Sequence, residues 1–285
     1  MLNFYTTYKS RSVLLIQKFS VLLCTYAKEN PLYLKQALDS LLNQTLLPHE
    51  IVIVKDGALT AELESVLADF DFPRTTVLAL PKHGTLGLAR AAGVNAAACE
   101  WVALMDSDDI CEPDRFERQM AIIASDSPDI VGGQIAEFDQ SPEESLHMRA
   151  VPVKHADIVA RAKRHNPFNA MSVMFRRDLA LSAGNFRYFP DFEDYDLWTR
   201  MIKNGAKCAN SADILVRARI GGGMYARRRG IRYVRSEWRM QKQLLKIGIV
   251  GRLGFVRNVL LRIPIRLLPA KALEIIYKKF TRKPW

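Results

Sequence analysis

Short apolar runs alternate with helical patterns through the first half of the chain, and that alternation dictates a largely parallel α/β sheet. Residues 19–24, 51–54, 75–80 and 101–105 are the strand-like runs. Helical stretches separate them at 31–43, 60–70 and 86–98. The first of these has Asn30 as N-cap and Pro31 at its opening position, with Leu34, Leu38, Leu41 and Leu42 on one face. Pro113 opens a further helix, 129–134 is another buried run, and 139–145, rich in Ser, Pro and Glu, reads as a loop. From about residue 225 the pattern is helical and basic, and Pro264 and Pro269 are expected to break the last helices. The expected organisation is a leader of unknown role at 1–18, one α/β domain at 19–216, and a basic helical extension at 217–285.

Charge divides the chain at the same place. Residues 1–216 hold 22 Lys and Arg against 28 Asp and Glu, whereas 217–285 hold 19 against 2. A basic extension on an acidic body faces an anion, and nucleic acid, a nucleotide or lipid headgroups all qualify. Residues 253–268 combine large aliphatics with spaced arginines. They read equally as an interfacial helix or as a packed helix whose arginines snorkel. The four cysteines form no Cys-x-x-Cys pair, so neither a zinc site nor a disulfide framework is indicated and a reducing compartment fits. No window of about 20 apolar residues predicts a spanning helix.

In a parallel α/β sheet the binding crevice lies at the carboxyl ends of the strands. Polar residues follow the runs at Thr25–Tyr26, Asp56–Gly57, Lys82–Gly84 and Asp106–Asp109. Three carboxylates within four residues repel one another unless a cation sits between them, and hard oxygen ligands suit Mg²⁺ or Mn²⁺. The alternative is that Asp109 caps the next helix and its neighbours are solvated. Asp56 can accept from a base or ribose, or simply belong to an Asp-Gly turn. Arg90 can lean over the crevice or lie on a solvated helix face. The segment Phe192-Glu-Asp-Tyr-Asp-Leu-Trp-Thr-Arg opens a helix, where the dipole alone favours acids. Its functional reading makes Asp194 a general base.

Taken in order, Ser20-Val-Leu-Leu-Cys-Thr-Tyr, Ile53-Val-Lys-Asp-Gly, Leu104-Met-Asp-Ser-Asp-Asp and Glu193-Asp-Tyr-Asp-Leu-Trp resemble the inverting family 2 glycosyltransferases with a Rossmann-like glycosyltransferase-A fold. The likeness covers about residues 19–205. Lys55 before Asp-Gly, and a later Gly-Gly-Met-Tyr-Ala-Arg-Arg segment, are most similar to the exopolysaccharide enzymes typified by amylovoran biosynthesis. The resemblance implies that Thr25, Tyr26 and Asp56 hold the nucleotide of a UDP-sugar with Arg90 assisting. It implies that Asp106 lies near ribose and metal, that Asp108 ligates Mn²⁺ or Mg²⁺, and that Asp194 is the base. Glu193, Trp198, Arg227 and Arg228 are then expected at the acceptor or the departing diphosphate. The implied partners are a nucleotide-sugar donor, a glycan or polyprenyl-diphosphate-linked acceptor and an anionic membrane surface, with no nucleic acid. The implied location is cytoplasmic, at the inner face of the cell membrane. Cys24 stands where many relatives have Pro, Ala91 where many have Asn, and Ala170 where close relatives often carry His. No Gln-x-x-Arg-Trp motif follows Asp194, which argues against a processive synthase.

Two other classes compete. The basic extension would bind a nucleic-acid backbone, but strand-end carboxylates would repel it and no zinc-finger or RNA-binding motif is present. A dehydrogenase or P-loop enzyme needs glycines after the first strand, and Leu23-Cys-Thr-Tyr-Ala has none. An inactive scaffold of a polysaccharide complex is the remaining alternative.

Overall fold

β1 (Phe19–Thr25) is apolar on both faces, as a strand covered by helices on both sides must be. The computed structural model describes residues 17–144, 147–220, 228–269, 272 and 283–284. β1 lies between β2 (Glu50–Lys55) and β4 (Trp101–Asp106), and β2 pairs in turn with β3 (Thr75–Ala79); all three pairings are parallel. The crossovers are α1 (Pro31–Leu42), α2 (Ala61–Ala68) and α3 (Leu86–Ala96). Thr25 sits in register with Lys55, and Cys24 with Asp106, so the four strands end at one edge. Asn30 caps α1 as its sequence predicts, accepting from Leu32 N.

Alternate residues of the central strands feed two cores. Leu22, Val52, Val102 and Leu104 pack beneath α3, and Val21, Leu23, Ile51 and Met105 pack beneath α1. α3 lies so close to the sheet that a Cβ on Gly93 would stand 2.1 Å from Leu22 Cδ1. Glycine is what permits that approach.

Beyond β4 the sheet becomes mixed. β5 (Ile110–Cys111) pairs antiparallel with β9 (Cys208–Arg219), and β6 (Ile130–Phe138) pairs parallel with β9. β8 (Met174–Arg176) runs antiparallel between β4 and β6, while β7 (His147–Arg149) and β10 (Lys283–Pro284) complete that edge. The helices on this side are α4 (Arg115–Asp126), α5 (His155–Ala162), α6 (Arg177–Ser182) and α7 (Glu193–Lys203). β9 runs on to Arg219, past residue 217, where the extension was expected to begin.

The extension forms α8 (Gly230–Lys246) and α9 (Arg252–Arg266). Tyr233, Met240 and Leu244 of α8 pack on Phe192 and Tyr195 of the body. Pro264, expected to break the last helix, instead lies inside it, and α9 ends two residues later. So close to the C-terminus the lost hydrogen bond is the only one forfeited before the helix stops.

Candidate functional site

Asp106 is the last residue of β4, and the sheet edge aims it at the carboxyl-end crevice. The next carboxylates crowd against it. Asp108 is pushed up to about 7 by burial, then by Asp106 and Glu29. Asp109 is held well above the carboxylate range by burial and by its two neighbours. Asp109 does not cap α4, whose N-cap is Asp114. Its Oδ1 accepts from the Arg219 amide at 2.9 Å, whereas Oδ2 is buried with no partner among the described residues. Glu29, from the loop after β1, accepts from Ser107 Oγ at 2.5 Å.

Two arginines flank this acid cluster. Arg219, last in β9, donates to the Asp108 carbonyl at 3.2 Å and to Gln36 Oε1 at 2.8 Å, with its guanidinium 3.7 Å from the Tyr33 ring centre and 4.5 Å from that of Phe138. Arg90 lies on the other side, on α3. It donates to Asp106 Oδ1 at 2.7 Å and to Glu193 Oε1 at 3.3 Å. Burial opposes its charge, but Asp106 and Glu193 outweigh that and raise its pKa. Arg90 is therefore not a solvated face residue. It joins the acids after β4 to the acids that open α7.

Glu193 is pushed up to about 7 by burial and by Asp194, with Arg90 pulling the other way. Asp194 Oδ2 accepts from Asn166 Nδ2 at 2.6 Å, and Oδ1 accepts from the Tyr195 amide at 2.7 Å. The third acid of this helix, Asp196, is wholly buried and bound by Arg187 and Arg200, a structural role.

At the other end of the crevice Asp56 Oδ1 accepts from the Gly84 amide at 2.8 Å, and Oδ2 lies 2.9 Å from His83 Nδ1. Gly57, at φ +88°, makes the turn, and a Cβ there would meet the His83 amide nitrogen at 2.6 Å. His83 stacks on Tyr26, ring centres 5.7 Å apart. An exposed aromatic pair beside a buried carboxylate offers a stacking face and an acceptor to a base. Thr25 Oγ1 is buried nearby without a partner among the described residues.

The structure thus brings Arg90, Asp106, Asp108, Glu193 and Asp194 into one crevice, with Thr25, Tyr26 and Asp56 along the same sheet edge. Trp198 is corrected. It is fully buried, with Phe168, Phe175 and Phe186 around it at ring distances of 5.4 to 5.9 Å, and cannot meet an acceptor. Only the opening turn of α7 reaches the crevice; from Tyr195 to Met201 the helix is buried on every side, so Trp198 is enclosed although it lies one turn below Asp194. Arg228 is half-buried just ahead of α8, and Arg227 lies outside the described residues. Sequence reasoning covered His83 only as part of the strand-end stretch 82–84, without a role, and missed Glu29, Asn166 and Arg219. Of these, Arg219 carried a signal, a cation closing an apolar strand; the others sit in loops whose return to the crevice is a tertiary fact.

The donor set fits a hard divalent cation: crowded carboxylates with raised pKa and an orphaned buried oxygen. Among the described residues no three His, Cys, Asp or Glu side chains form a metal cage. Such an ion would take its remaining ligands from phosphate and water.

Comparison with known proteins bears on the family and the fold. Residues 20–182 match the Glycosyl transferase family 2. An uncharacterized glycosyltransferase of Haemophilus influenzae is 40% identical, covering 93% of this chain and 100% of its own length. An amylovoran biosynthesis glycosyltransferase of Erwinia amylovora is 39% identical, covering 92% and 98%. A UDP-Gal:alpha-D-GlcNAc-diphosphoundecaprenol beta-1,3-galactosyltransferase of Escherichia coli is 32% identical, covering 93% and 97%. Among solved structures, S. aureus TarS 1-349 in complex with UDP-GlcNAc superposes with a TM-score of 0.64 at 18% identity, over 93% of this chain and 73% of that one. Mannosyltransferase PcManGT from Pyrobaculum calidifontis, in complex with GDP-Man and Mn2+, gives 0.61 at 17%, over 93% and 76%. The fold is that of glycosyltransferase-A enzymes.

Proposed function

The chain belongs to glycosyl transferase family 2 and is a glycosyltransferase, and from that premise we propose that it moves a sugar from a UDP-sugar, with inversion, to a hydroxyl of a polyprenyl-diphosphate-linked acceptor in cell-surface polysaccharide biosynthesis. The observation that carries this reading is the Arg90 bridge, which sets the Asp106–Asp109 cluster beside Asp194 in one crevice. The first group suits a divalent cation that would in turn meet a donor diphosphate, and the second an attacking hydroxyl. The E. coli relative is named for UDP-Gal and a diphosphoundecaprenol acceptor, which favours that donor and acceptor class.

Tyr26 and His83 would flank the uracil, Asp56 would accept from it, and Asp106 would lie by the ribose. Asp106 and Asp108 would hold Mn²⁺ or Mg²⁺, whose chemistry is to neutralise charge gathering on the departing diphosphate. Asp194, its carboxylate fixed by Asn166 and the Tyr195 amide, takes the proton from the acceptor hydroxyl. A single displacement on the face opposite the leaving group inverts the anomeric carbon. Arg228 remains a candidate for the leaving diphosphate, and Glu193 for the acceptor side. We place the protein at the inner face of the cell membrane, where such acceptors and nucleotide-sugars meet.

The test is calorimetric titration with UDP, with and without Mn²⁺. Metal-dependent binding that Asp108→Ala abolishes and Asp194→Ala preserves supports the division of roles. Loss of binding in Asp194→Ala, or binding indifferent to metal in every variant, refutes it.

A further inference from the structure

α9 is built the wrong way round for a helix that faces water. Asn258, Arg262 and Arg266 recur every four residues, and their stripe points into the protein. Asn258 Nδ2 donates to the Lys163 carbonyl at 2.8 Å and to Gln241 Oε1 at 3.0 Å. Arg262 donates to Glu237 Oε1 at 2.6 Å and to the Arg164 carbonyl at 2.7 Å, and Arg266 to Glu237 Oε2 at 3.1 Å. The opposite stripe is Leu253, Val256, Leu260 and Leu267, all exposed, with Leu253 at 89% and Leu260 at 66%. A water-facing helix carries the reverse pattern, and a contiguous apolar stripe at the surface marks a docking site.

Charge selects the occupant. Residues 238–269 contain no Asp or Glu, while Arg239, Lys242 and Lys246 of α8 and Arg252 and Arg257 of α9 are exposed. A second copy meeting this face across a two-fold axis would oppose cation to cation. An anionic lipid surface satisfies the leucines and the cations together. Trp238, partly exposed, packs edge-on against Phe255 at 5.4 Å with Lys242 5.8 Å from its ring centre, the kind of aromatic that sits at a membrane–water boundary. No described helix is long and apolar enough to cross a membrane, so the contact lies in the plane of the interface.

We propose that the outward face of α9, with the cations of α8 beside it, seats on an anionic bilayer surface by inserting Leu253, Val256, Leu260 and Leu267 at the headgroup boundary. The inward face of the same helix grips the carbonyls of Lys163 and Arg164, three and two residues before the Asn166 that fixes Asp194. Docking therefore presents Asp194 to an acceptor whose carrier stays in the bilayer, a consequence that rests on the proposed role of Asp194. The docking itself does not.

Full-length protein is floated with vesicles of phosphatidylcholine alone or mixed with phosphatidylglycerol. The wild type rises with the mixed vesicles and is released by salt. Leu253→Gln/Leu260→Gln lowers partition by at least about tenfold, as burial of two leucines requires, and Val256→Gln/Leu267→Gln does the same. Val77→Gln, exposed on β3, has no effect. UDP binding by calorimetry is unchanged in all of them, so its failure would count against the glycosyl-transfer reading and not against docking. Undiminished flotation of both leucine-face variants, or equal flotation with phosphatidylcholine alone, overturns the proposal. A dimer in light scattering that these variants dissolve, without flotation, assigns the face to a second copy instead.

Discussion

Replacing Arg90 by methionine asks whether one guanidinium holds the two halves of the crevice together. The Arg90 side chain is 4% exposed, and its partners Asp106 and Glu193 are 27% and 14% exposed. Methionine keeps most of the apolar volume and removes the charge. Removing one member of a buried ion pair costs about 3–5 kcal/mol. The lower end applies here, because Asp106 keeps some water and Glu193 can take up a proton, so about 3 kcal/mol is expected at pH 8. For a chain of this size that is a fall of roughly 6–12 °C in Tm. The deficit must depend on pH. Glu193 already stands up at about 7 because burial and Asp194 outweigh Arg90. Without Arg90 it rises further, so the folded variant favours the acid form and loses stability as pH climbs through that range. Scanning calorimetry at pH 5 and pH 8 reads this directly, with the smaller deficit at pH 5. A deficit that is flat with pH, or below about 0.5 kcal/mol at pH 8 as for surface pairs, would mean that Arg90 does not hold the two groups of acids together.

Asn166→Ala removes the side-chain donor to Asp194; turnover of a labelled UDP-sugar should fall about 10- to 100-fold, as loss of a hydrogen bond to a charged group implies, while UDP affinity holds. Asp108→Asn removes a carboxylate raised to about 7, whose ionisation weakens the fold as pH rises from 3.8 through that value. At pH 8 the metal-free variant should be more stable than wild type by about 1–2 kcal/mol in urea titration, and Mn²⁺ should no longer promote UDP binding. Glu237 is held down to about 2: burial opposes ionisation, but Arg262 and Arg266 prevail. Its contribution is therefore present above pH 4.5 and lost as pH falls toward 2, about 3 kcal/mol in all; the acid limb of a melting-temperature profile should flatten in Glu237→Gln. Trp198→Phe should cost no more than about 2 kcal/mol, since its indole N–H has no partner among the described residues, and acceptor KM should not move.

The central sheet was legible because buried parallel strands write themselves as uninterrupted apolar runs. The boundaries expected for β1 to β4 differ from the observed ones by a residue or so. The second half was not legible, since β7 and β8 are three residues each and owe their existence to the neighbours they pair with. Asp106, Asp108 and Asp194 could be picked out because each follows a strong element start or end. Trp198 was misread because a four-residue spacing puts it on Asp194's side of α7, and only tertiary packing shows that the helix is covered on every side beyond its first turn. Asn166 and Glu29 lie in connecting segments, where no periodicity records what they face.

The extension shows how composition can mislead even when counted correctly. Nineteen basic residues suggest one large anionic partner, yet Arg262 and Arg266 are spent inward on Glu237 and on the backbone before Asn166. A nucleic-acid backbone would have to be met by what remains, and what remains is interleaved with leucines that phosphates do not want. The same inward arginines tie the extension to the segment carrying Asn166, so loosening α9 should reach Asp194 through the backbone of 163–165. The extension is thus a brace for the proposed base on one side and an apolar surface on the other, and it is the buried Glu237 that allows one basic helix to be both.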